Sequence, residues 1–199
     1  MKTLSFISIL FLFVLYSCNS GTNTNRPKVT FGIHEVVKIS EIPNAILDTL
    51  KSKNVQIENN PQQSIIGYIT KADSLVLQPD LSKGNYKFVK TIYPVDKDQR
   101  YYAIAAIRPG SVIDNSHIKK TKANVNNVEI YFNMEGANRW AELTKKNIGN
   151  TVALIIDNQI YSMPVVNGEI RNGIALINSL ENEDDAKIIS ESLNLSIPE

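Results

Sequence analysis

The sequence predicts an α+β fold in which an antiparallel sheet is covered by helices, and three observations favour it. Short β-branched runs alternate with stretches of helical spacing along the chain. After residue 110 the predicted order is strand, helix, strand, strand, strand, helix. Arg108-Pro109-Gly110 interrupts an apolar strand and is the predicted boundary between two halves. We therefore expect a smaller α+β half at 29–110 and a second half at 111–199.

The first half is predicted to contain one helix among several strands. β-branched and aromatic residues favour strands, which are predicted at 29–37, 64–69, 87–93 and 101–107. Apolar residues at helical spacing predict a helix at 42–53, with Pro43 in its first turn and Ser40 as its cap. The stretch 72–85 combines a proline with a glycine and is expected to form a loop.

The second half begins with the most complete helix signal in the chain. A strand is predicted at 125–132 and a helix at 134–148, for which Asn133 is the expected cap and Gly149 the expected terminator. One face of this helix is apolar and includes Trp140. We expect the indole of Trp140 to fill the core.

Three further strands and a helix complete the second half. Asp157-Asn158 is expected to join strands at 151–156 and 159–166 through a tight turn. Asn167-Gly168 is expected to form another hairpin turn before a strand at 170–177. A last helix is expected beyond it, because three consecutive acidic residues suit the positive end of a helix dipole.

The N-terminus carries the pattern of an exported lipoprotein. Lys2 is followed by an apolar run that is short for a membrane span, and Leu15-Tyr16-Ser17-Cys18 closes it. This tetrapeptide resembles the lipobox of bacterial lipoproteins, in which the cysteine thiol is alkylated with diacylglycerol and the signal peptide is cut just before it. The resemblance implies a signal peptide at 1–17 and lipidation of Cys18; the alternative is an ordinary secretory signal with a chance cysteine. The small polar residues that follow predict a flexible tether at 18–28.

The charge balance and the cysteine content narrow the class of protein. The chain has 21 basic and 20 acidic residues, and Lys2 is the one charged residue of the predicted signal peptide. The rest is therefore close to neutral and offers no basic field for a nucleic acid backbone. Cys18 is the only cysteine in the sequence, so no intramolecular disulfide is expected.

No motif in the sequence indicates catalysis, a metal or a cofactor. The sequence lacks a G-x-S-x-G nucleophile turn and both glycine-rich phosphate-binding patterns. His34 and His117 lie in different halves without ligand spacing, and each is expected to be a surface or strand residue. The acidic run 181–185 lacks the alternation of a calcium loop and is interpreted as a helix start. We therefore expect no enzymatic activity and no cofactor.

A family resemblance appears in the second half. The motifs that carry it are 136–144, 147–150, 153–157 and 161–166. In this order and spacing they resemble the periplasmic head subdomain of SecD, a membrane subunit of the Sec protein-export machinery. Met163 and Ser179 depart from the family pattern, which usually has a small residue and a glycine at these positions. The resemblance extends over 111–195 and implies a head-like fold and a role in handling polypeptides.

One predicted strand is a candidate binding surface. Pro164 cannot donate a hydrogen bond to a sheet, which places its strand at an edge or at a bulge. An edge that begins near Ile160 and Tyr161 would let an extended peptide add as a further strand, with Tyr161 and Met163 as adaptable contacts. The alternative is a plain edge protected against aggregation.

These features together predict a non-enzymatic, lipid-anchored protein that binds or assists polypeptides during export. The residues after Cys18 lack an inner-membrane retention aspartate and an acidic surface-export cluster, so we expect an outer-membrane location facing the periplasm. One alternative is a scaffold that docks a single folded envelope partner. Another is an enzyme or small-ligand receptor with its site in 29–110, which a pocket with convergent polar groups would favour.

Overall fold

The computed structural model describes residues 27–74, 85–178 and 180–199. Cys18, the predicted signal peptide and most of the predicted tether lie outside these residues, as does most of the predicted loop at 72–85. Within the described residues, no helix is long and apolar enough to cross a bilayer. The fold class is α+β, as the sequence predicts.

Strands dominate the described part of the chain, and four helices accompany them. The strands are β1 (Phe31–Val37), β2 (Gln56–Ile57), β3 (Ile65–Thr70), β4 (Lys87–Thr91), β5 (Tyr101–Ile107), β6 (Ile113–Asp114), β7 (Ile118–Asn124), β8 (Asn127–Phe132), β9 (Val152–Ile156), β10 (Gln159–Ser162) and β11 (Ile174–Ile177). The helices are α1 (Asn44–Ser52), α2 (Lys71–Ser74), α3 (Met134–Lys146) and α4 (Glu183–Leu195). Short 3-10 turns at Ile39–Glu41 and Asn115–His117 precede α1 and β7.

Five strands of the larger sheet close into a ring. The sheet order is β2-β3-β5-β4-β10-β9-β1-β6. β1 also pairs with β5, so the five strands β5, β4, β10, β9 and β1 form a closed ring. Its described strand pairs are antiparallel apart from β4 with β10, which is parallel. Each ring strand contributes to one interior cluster, through Val36, Val89, Ala105, Ala153 and Ile160. The two alanines suit the narrow interior of so small a ring.

The ring takes strands from both predicted halves. β1, β4 and β5 precede Gly110, whereas β9 and β10 follow it. The predicted boundary at Gly110 therefore does not separate two structural halves, because strands from both sides of it belong to one continuous sheet. Local composition identified the break in the chain, but pairing between distant strands decides which elements share a core.

A smaller sheet and two helices pack on the outside of the ring. The antiparallel order of this sheet is β11-β8-β7, and α4 covers it. Alternate side chains of β8 point into a core that also contains Trp140 and Leu193. Phe31 of β1 and Leu154 of β9 belong to the same core, which therefore joins the small sheet to the ring.

Three local signals in the second half are confirmed. The Asn133 side chain caps α3 by accepting a hydrogen bond from the Gly136 backbone N–H at 2.9 Å. Gly149 lies just beyond the helix with φ +78°, in the left-handed region that favours glycine. Asp157 and Asn158 both have positive φ, as expected of a two-residue turn between β9 and β10.

Two other local predictions are wrong. Ser40 does not cap α1, because it lies in the 3-10 turn and the helix begins after Pro43. Asn167-Gly168 does not join a hairpin, because β11 pairs with β8 in the small sheet instead of with β10. Asn167-Gly168 has residue types suited to a turn, but the strand that follows it pairs with a distant strand.

Candidate functional site

The predicted peptide-binding edge is wrong, because β10 is paired on both sides. It pairs with β9 through Ile160 and Ser162, and with β4 through Gln159 and Ile160. Ile160 is 3% exposed and lies in the ring interior. Tyr161 is partly buried against the larger core, where burial raises its pKa. β4 therefore occupies the outer side of β10 at Gln159 and Ile160, where the predicted edge begins, and the register shift before Pro164 agrees with the bulge alternative.

Side chains occupy the two edges of the small sheet. On β7, the Thr121 backbone N–H donates to Asn194 Oδ1 at 2.7 Å, and Asn194 Nδ2 donates to the Thr121 carbonyl at 3.2 Å. On β11, Trp140 Nε1 donates to the Ile174 carbonyl at 3.0 Å, and the Ile174 N–H donates to Asn172 Oδ1 at 3.1 Å. An incoming strand would have to displace these hydrogen bonds at either edge.

Two of the family-like motifs meet at the end of the ring beyond β10. The Gly149 N–H donates to the Val166 carbonyl at 2.8 Å, and the Val166 N–H donates to the Asn150 carbonyl at 2.9 Å. Ile148 and Val166 form a parallel bridge, and Thr151 and Val165 form an antiparallel one. We call four apolar residues of these two segments the apolar joint: Ile148, Met163, Pro164 and Val165.

Most of the apolar joint faces solvent. Ile148 is 53% exposed, Val165 is 56% exposed, and Pro164 is exposed beside them. Met163 is partly buried and packs against the ring interior. Scattered apolar side chains are normal on a surface, but neighbouring ones mark contact sites more often. Met163 is the one predicted binding residue that lies in this surface.

An ion pair and a hydrogen bond link the end of α3 to β1 next to the apolar joint. Glu35 of β1 lies 2.8 Å from Lys146 Nζ and accepts a hydrogen bond from Asn147 Nδ2 at 3.2 Å. The hydrogen bond from Lys146 holds the pKa of Glu35 below its usual value, against the opposing effect of burial. The carboxylate is therefore charged at neutral pH and ties the C-terminal end of α3, next to Ile148, to β1.

The two histidines lie on different elements of the fold. His34 is a residue of β1, as predicted, and burial lowers its pKa. His117 is buried in the 3-10 turn before β7, so the prediction of a surface or strand residue is wrong for it. The Nδ1 of His117 lies 2.8 Å from Asp114 Oδ1. Helix α3 approaches so closely that a Cβ at Gly136 would lie 2.6 Å from the His117 carbonyl oxygen.

Among the described residues, no group of three or more ligand side chains is placed to hold a metal ion.

A cleft of 390 Å³ beside β3 and β5 tests the receptor alternative. It is lined by Gln56, Ile65, Tyr68, Val95, Asp96 and Tyr101. Its volume suits a small ligand, for which pockets of about 300–1,000 Å³ are usual. The Asp96 carboxylate, however, accepts the backbone N–H groups of Arg100 and Tyr101 at 2.8 and 2.7 Å. This carboxylate is thus bound to the backbone of its own loop and is not a polar group that converges on a ligand. The cleft therefore does not favour the receptor alternative.

Comparison with known proteins connects the apolar joint with one family. The SecDF P1 head subdomain family matches residues 90–196, which is just over half of the chain and includes the whole joint. Protein translocase subunit SecD of Rhodothermus marinus is 34% identical over 107 residues, covering 50% of this chain and 17% of that protein. SecD of Leptotrichia buccalis is 28% identical over 98 residues, covering 49% of this chain and 24% of that protein.

A solved structure and the extent of the matches complete the comparison. A crystal structure of SecDF in its super-membrane-facing form aligns with 83% of this chain and 18% of its own, at 17% identity and a TM-score of 0.47. This chain spans about a fifth of the length of the two SecD proteins.

Proposed function

We propose that this chain, which belongs to the SecDF P1 head subdomain family, binds polypeptides during protein export and does so without turnover. Sequence identity to SecD, a protein translocase subunit, supports a role in export. The observation that carries the proposal is that the family match contains the whole apolar joint.

The joint would hold a polypeptide through side-chain contacts. Its exposed apolar side chains, Ile148, Pro164 and Val165, can take hydrophobic side chains of an unfolded segment out of water. Backbone pairing plays no part at β10, which is paired on both sides. We expect weak, reversible binding at micromolar strength, about −8 kcal/mol.

The second part of the proposal is a lipid anchor. Cys18 lies in a lipobox-like sequence, and its thiol would be alkylated with diacylglycerol before cleavage removes 1–17. The absence of acidic residues directly after Cys18 supports an outer-membrane location facing the periplasm. Dual or triple acylation would anchor the protein stably, which a single chain would not.

Titration of the fragment 19–199 with fluorescein-labelled casein, an unfolded polypeptide, tests the binding function by fluorescence anisotropy. We expect saturable binding, and we expect Val165→Glu to weaken it about tenfold, or about 1.4 kcal/mol. Val125→Glu is the matched control, because Val125 is 67% exposed in the turn between β7 and β8, away from the joint. No saturable binding by the unaltered fragment would refute the proposal.

The alternative is a scaffold that docks one folded envelope partner through the same apolar joint. The observation that favours it is the ordered backbone of the joint, whose two segments are joined by the Gly149–Val166 and Val166–Asn150 hydrogen bonds. Recovery of one stoichiometric partner after crosslinking, together with no binding of casein, would favour this alternative.

A further inference from the structure

The sequence contains two Asn-Gly pairs, and the fold holds them in different ways. They are Asn167-Gly168, which does not form the predicted hairpin, and Asn172-Gly173, which directly precedes β11. An asparagine followed by glycine can deamidate without an enzyme, because glycine has no side chain to keep its backbone nitrogen away from the asparagine side chain. How fast each pair reacts therefore depends on how firmly its surroundings hold it.

Asn167-Gly168 is the open pair. The Val166 N–H before it and the Ile170 N–H after it are both hydrogen-bonded, at 2.9 Å each. Between these fixed points the Asn167 side chain is exposed, and within the described part of the chain neither this side chain nor the Gly168 N–H has a hydrogen-bond partner. A Cβ at Gly168 would meet no atom within 4 Å. The Gly168 nitrogen therefore has room to approach the Asn167 side chain.

Asn172-Gly173 is the restrained pair. Asn172 Oδ1 accepts the Ile174 N–H at 3.1 Å, which holds the side-chain amide beside the start of β11. The Gly173 carbonyl accepts the Phe132 N–H at 2.9 Å. Gly173 is also buried against α3, where a Cβ would lie 2.9 Å from the Cβ of Ala137. Reaction at Asn172 would have to break its hydrogen bond to Ile174 and move a buried segment of backbone.

We propose that Asn167 is a site of spontaneous deamidation and that the fold protects Asn172 from the same reaction. The Gly168 backbone nitrogen loses its proton and attacks Asn167 Cγ. The new N–Cγ bond forms, the Cγ–Nδ2 bond breaks, and the amide group takes up a proton and leaves as ammonia. Water then opens the succinimide ring at either carbonyl, which gives aspartate or isoaspartate with no change of oxidation state.

Either product places a carboxylate beside the apolar joint. Residue 167 directly follows Val166, whose backbone N–H and carbonyl are hydrogen-bonded to Asn150 and Gly149 of the other segment of the joint. The reaction needs neither a polypeptide partner nor a lipid anchor, because water is its only co-reactant.

Peptide mapping by mass spectrometry tests this on the full-length folded protein after incubation in mildly alkaline water labelled with heavy oxygen. Trypsin cleaves after Arg171 and thus separates the two pairs into the peptides 147–171 and 172–187. Carboxylates formed during the incubation carry the heavy oxygen, whereas those formed during digestion in ordinary water do not. We expect Asn167 to deamidate about tenfold faster than Asn172, which corresponds to about 1.4 kcal/mol in activation free energy.

Unfolding in guanidinium chloride is the control for the fold, and Gly168→Ala is the control for the reaction. In the unfolded chain the two pairs lose their different surroundings, so their rates should converge. Gly168→Ala adds a methyl group in open space, but this group hinders the attacking nitrogen and should slow deamidation at Asn167 about tenfold. Equal rates at the two sites in the folded protein, or no reaction at Asn167, would overturn the proposal. So would a difference that persists after unfolding, or a rate that Gly168→Ala leaves unchanged.

Discussion

Trp140 connects the sequence pattern of α3 with the packing of the small sheet. Its position on the apolar face predicts burial, and its side chain is 3% exposed, with its ring centroid 6.1 Å from that of Phe132. The indole N–H also satisfies the Ile174 carbonyl. We expect Trp140→Ala to lower the free energy of unfolding by about 3–5 kcal/mol in urea denaturation.

Met134→Ala in the same helix is the control for this prediction. Met134 is 83% exposed, and a surface change of this kind usually costs no more than about 0.5 kcal/mol. A loss below about 1 kcal/mol for Trp140→Ala would contradict the packing described for the indole.

Tyr93 predicts how stability depends on pH in the alkaline range. Its hydroxyl donates to Asp185 Oδ2 at 3.2 Å; burial, followed by the charge of Asp185, raises its pKa from 10.0 to about 12. The unfolded chain therefore releases this proton at lower pH than the folded protein, so the stability that Tyr93 contributes is complete below pH 10 and is lost as the pH rises to about 12.

The matching experiment compares unfolding midpoints of the unaltered protein and Tyr93→Phe across this pH range. Phenylalanine cannot ionise, so we expect its midpoint to fall less steeply above pH 10. Other tyrosines with raised pKa values contribute equally to both proteins and cancel. Parallel pH profiles would show that Tyr93 has no such role.

At the scale of single elements, Asn194 protects the free edge of β7. Its side-chain amide makes both hydrogen bonds that a neighbouring strand would make with Thr121. Asn194→Ala leaves these backbone groups without their partner, and we expect a loss of about 1–3 kcal/mol together with self-association through the exposed edge. Chemical denaturation and sedimentation velocity measure the two effects.

Asn194→Asp separates the two hydrogen bonds of this edge. Aspartate keeps the acceptor for the Thr121 N–H but lacks the donor for the Thr121 carbonyl. The stability of Asn194→Asp should therefore lie between that of the unaltered protein and that of Asn194→Ala. Unchanged stability and a monomeric state in Asn194→Ala would mean that the edge needs no protection.

The elements that local signals define were predictable from the sequence. The Asn133 cap, Gly149 and the Asp157-Asn158 turn depend on residues that lie next to each other, and each is where the pattern predicts. β7 was not predicted, because three of its seven residues are lysines and its alternation is hidden. The interior position of β10 was also missed, since its pairing with β4 joins residues some 70 positions apart.

The candidate site was only partly predictable for the same reason. Pro164 indicated an edge or a bulge, and the local sequence could not show that β4 occupies one side of β10. Met163 was placed in a binding surface, but Ile148 was assigned to the apolar face of the predicted helix at 134–148, and Val165 only to a family motif. Their contact depends on hydrogen bonds between segments that the sequence separates.

At the scale of the whole molecule, the proposed lipid anchor depends on one atom. Cys18 Sγ is the one thiol in the sequence, so Cys18→Ala should abolish labelling by radioactive palmitate and leave the signal peptide uncleaved. Autoradiography and the electrophoretic mobility of the two forms measure this. Equal labelling of the unaltered protein and Cys18→Ala would rule out lipidation at this residue.

The central claim is that the apolar joint contacts polypeptides during export. The most direct measurement is photocrosslinking in living cells from a photoreactive amino acid placed at Val165, with the same residue at Val125 as control, followed by mass spectrometry of the adducts. We predict that position 165 captures many different exported polypeptides and that position 125 captures few. Equal adducts at both positions, or none at position 165, would contradict the claim.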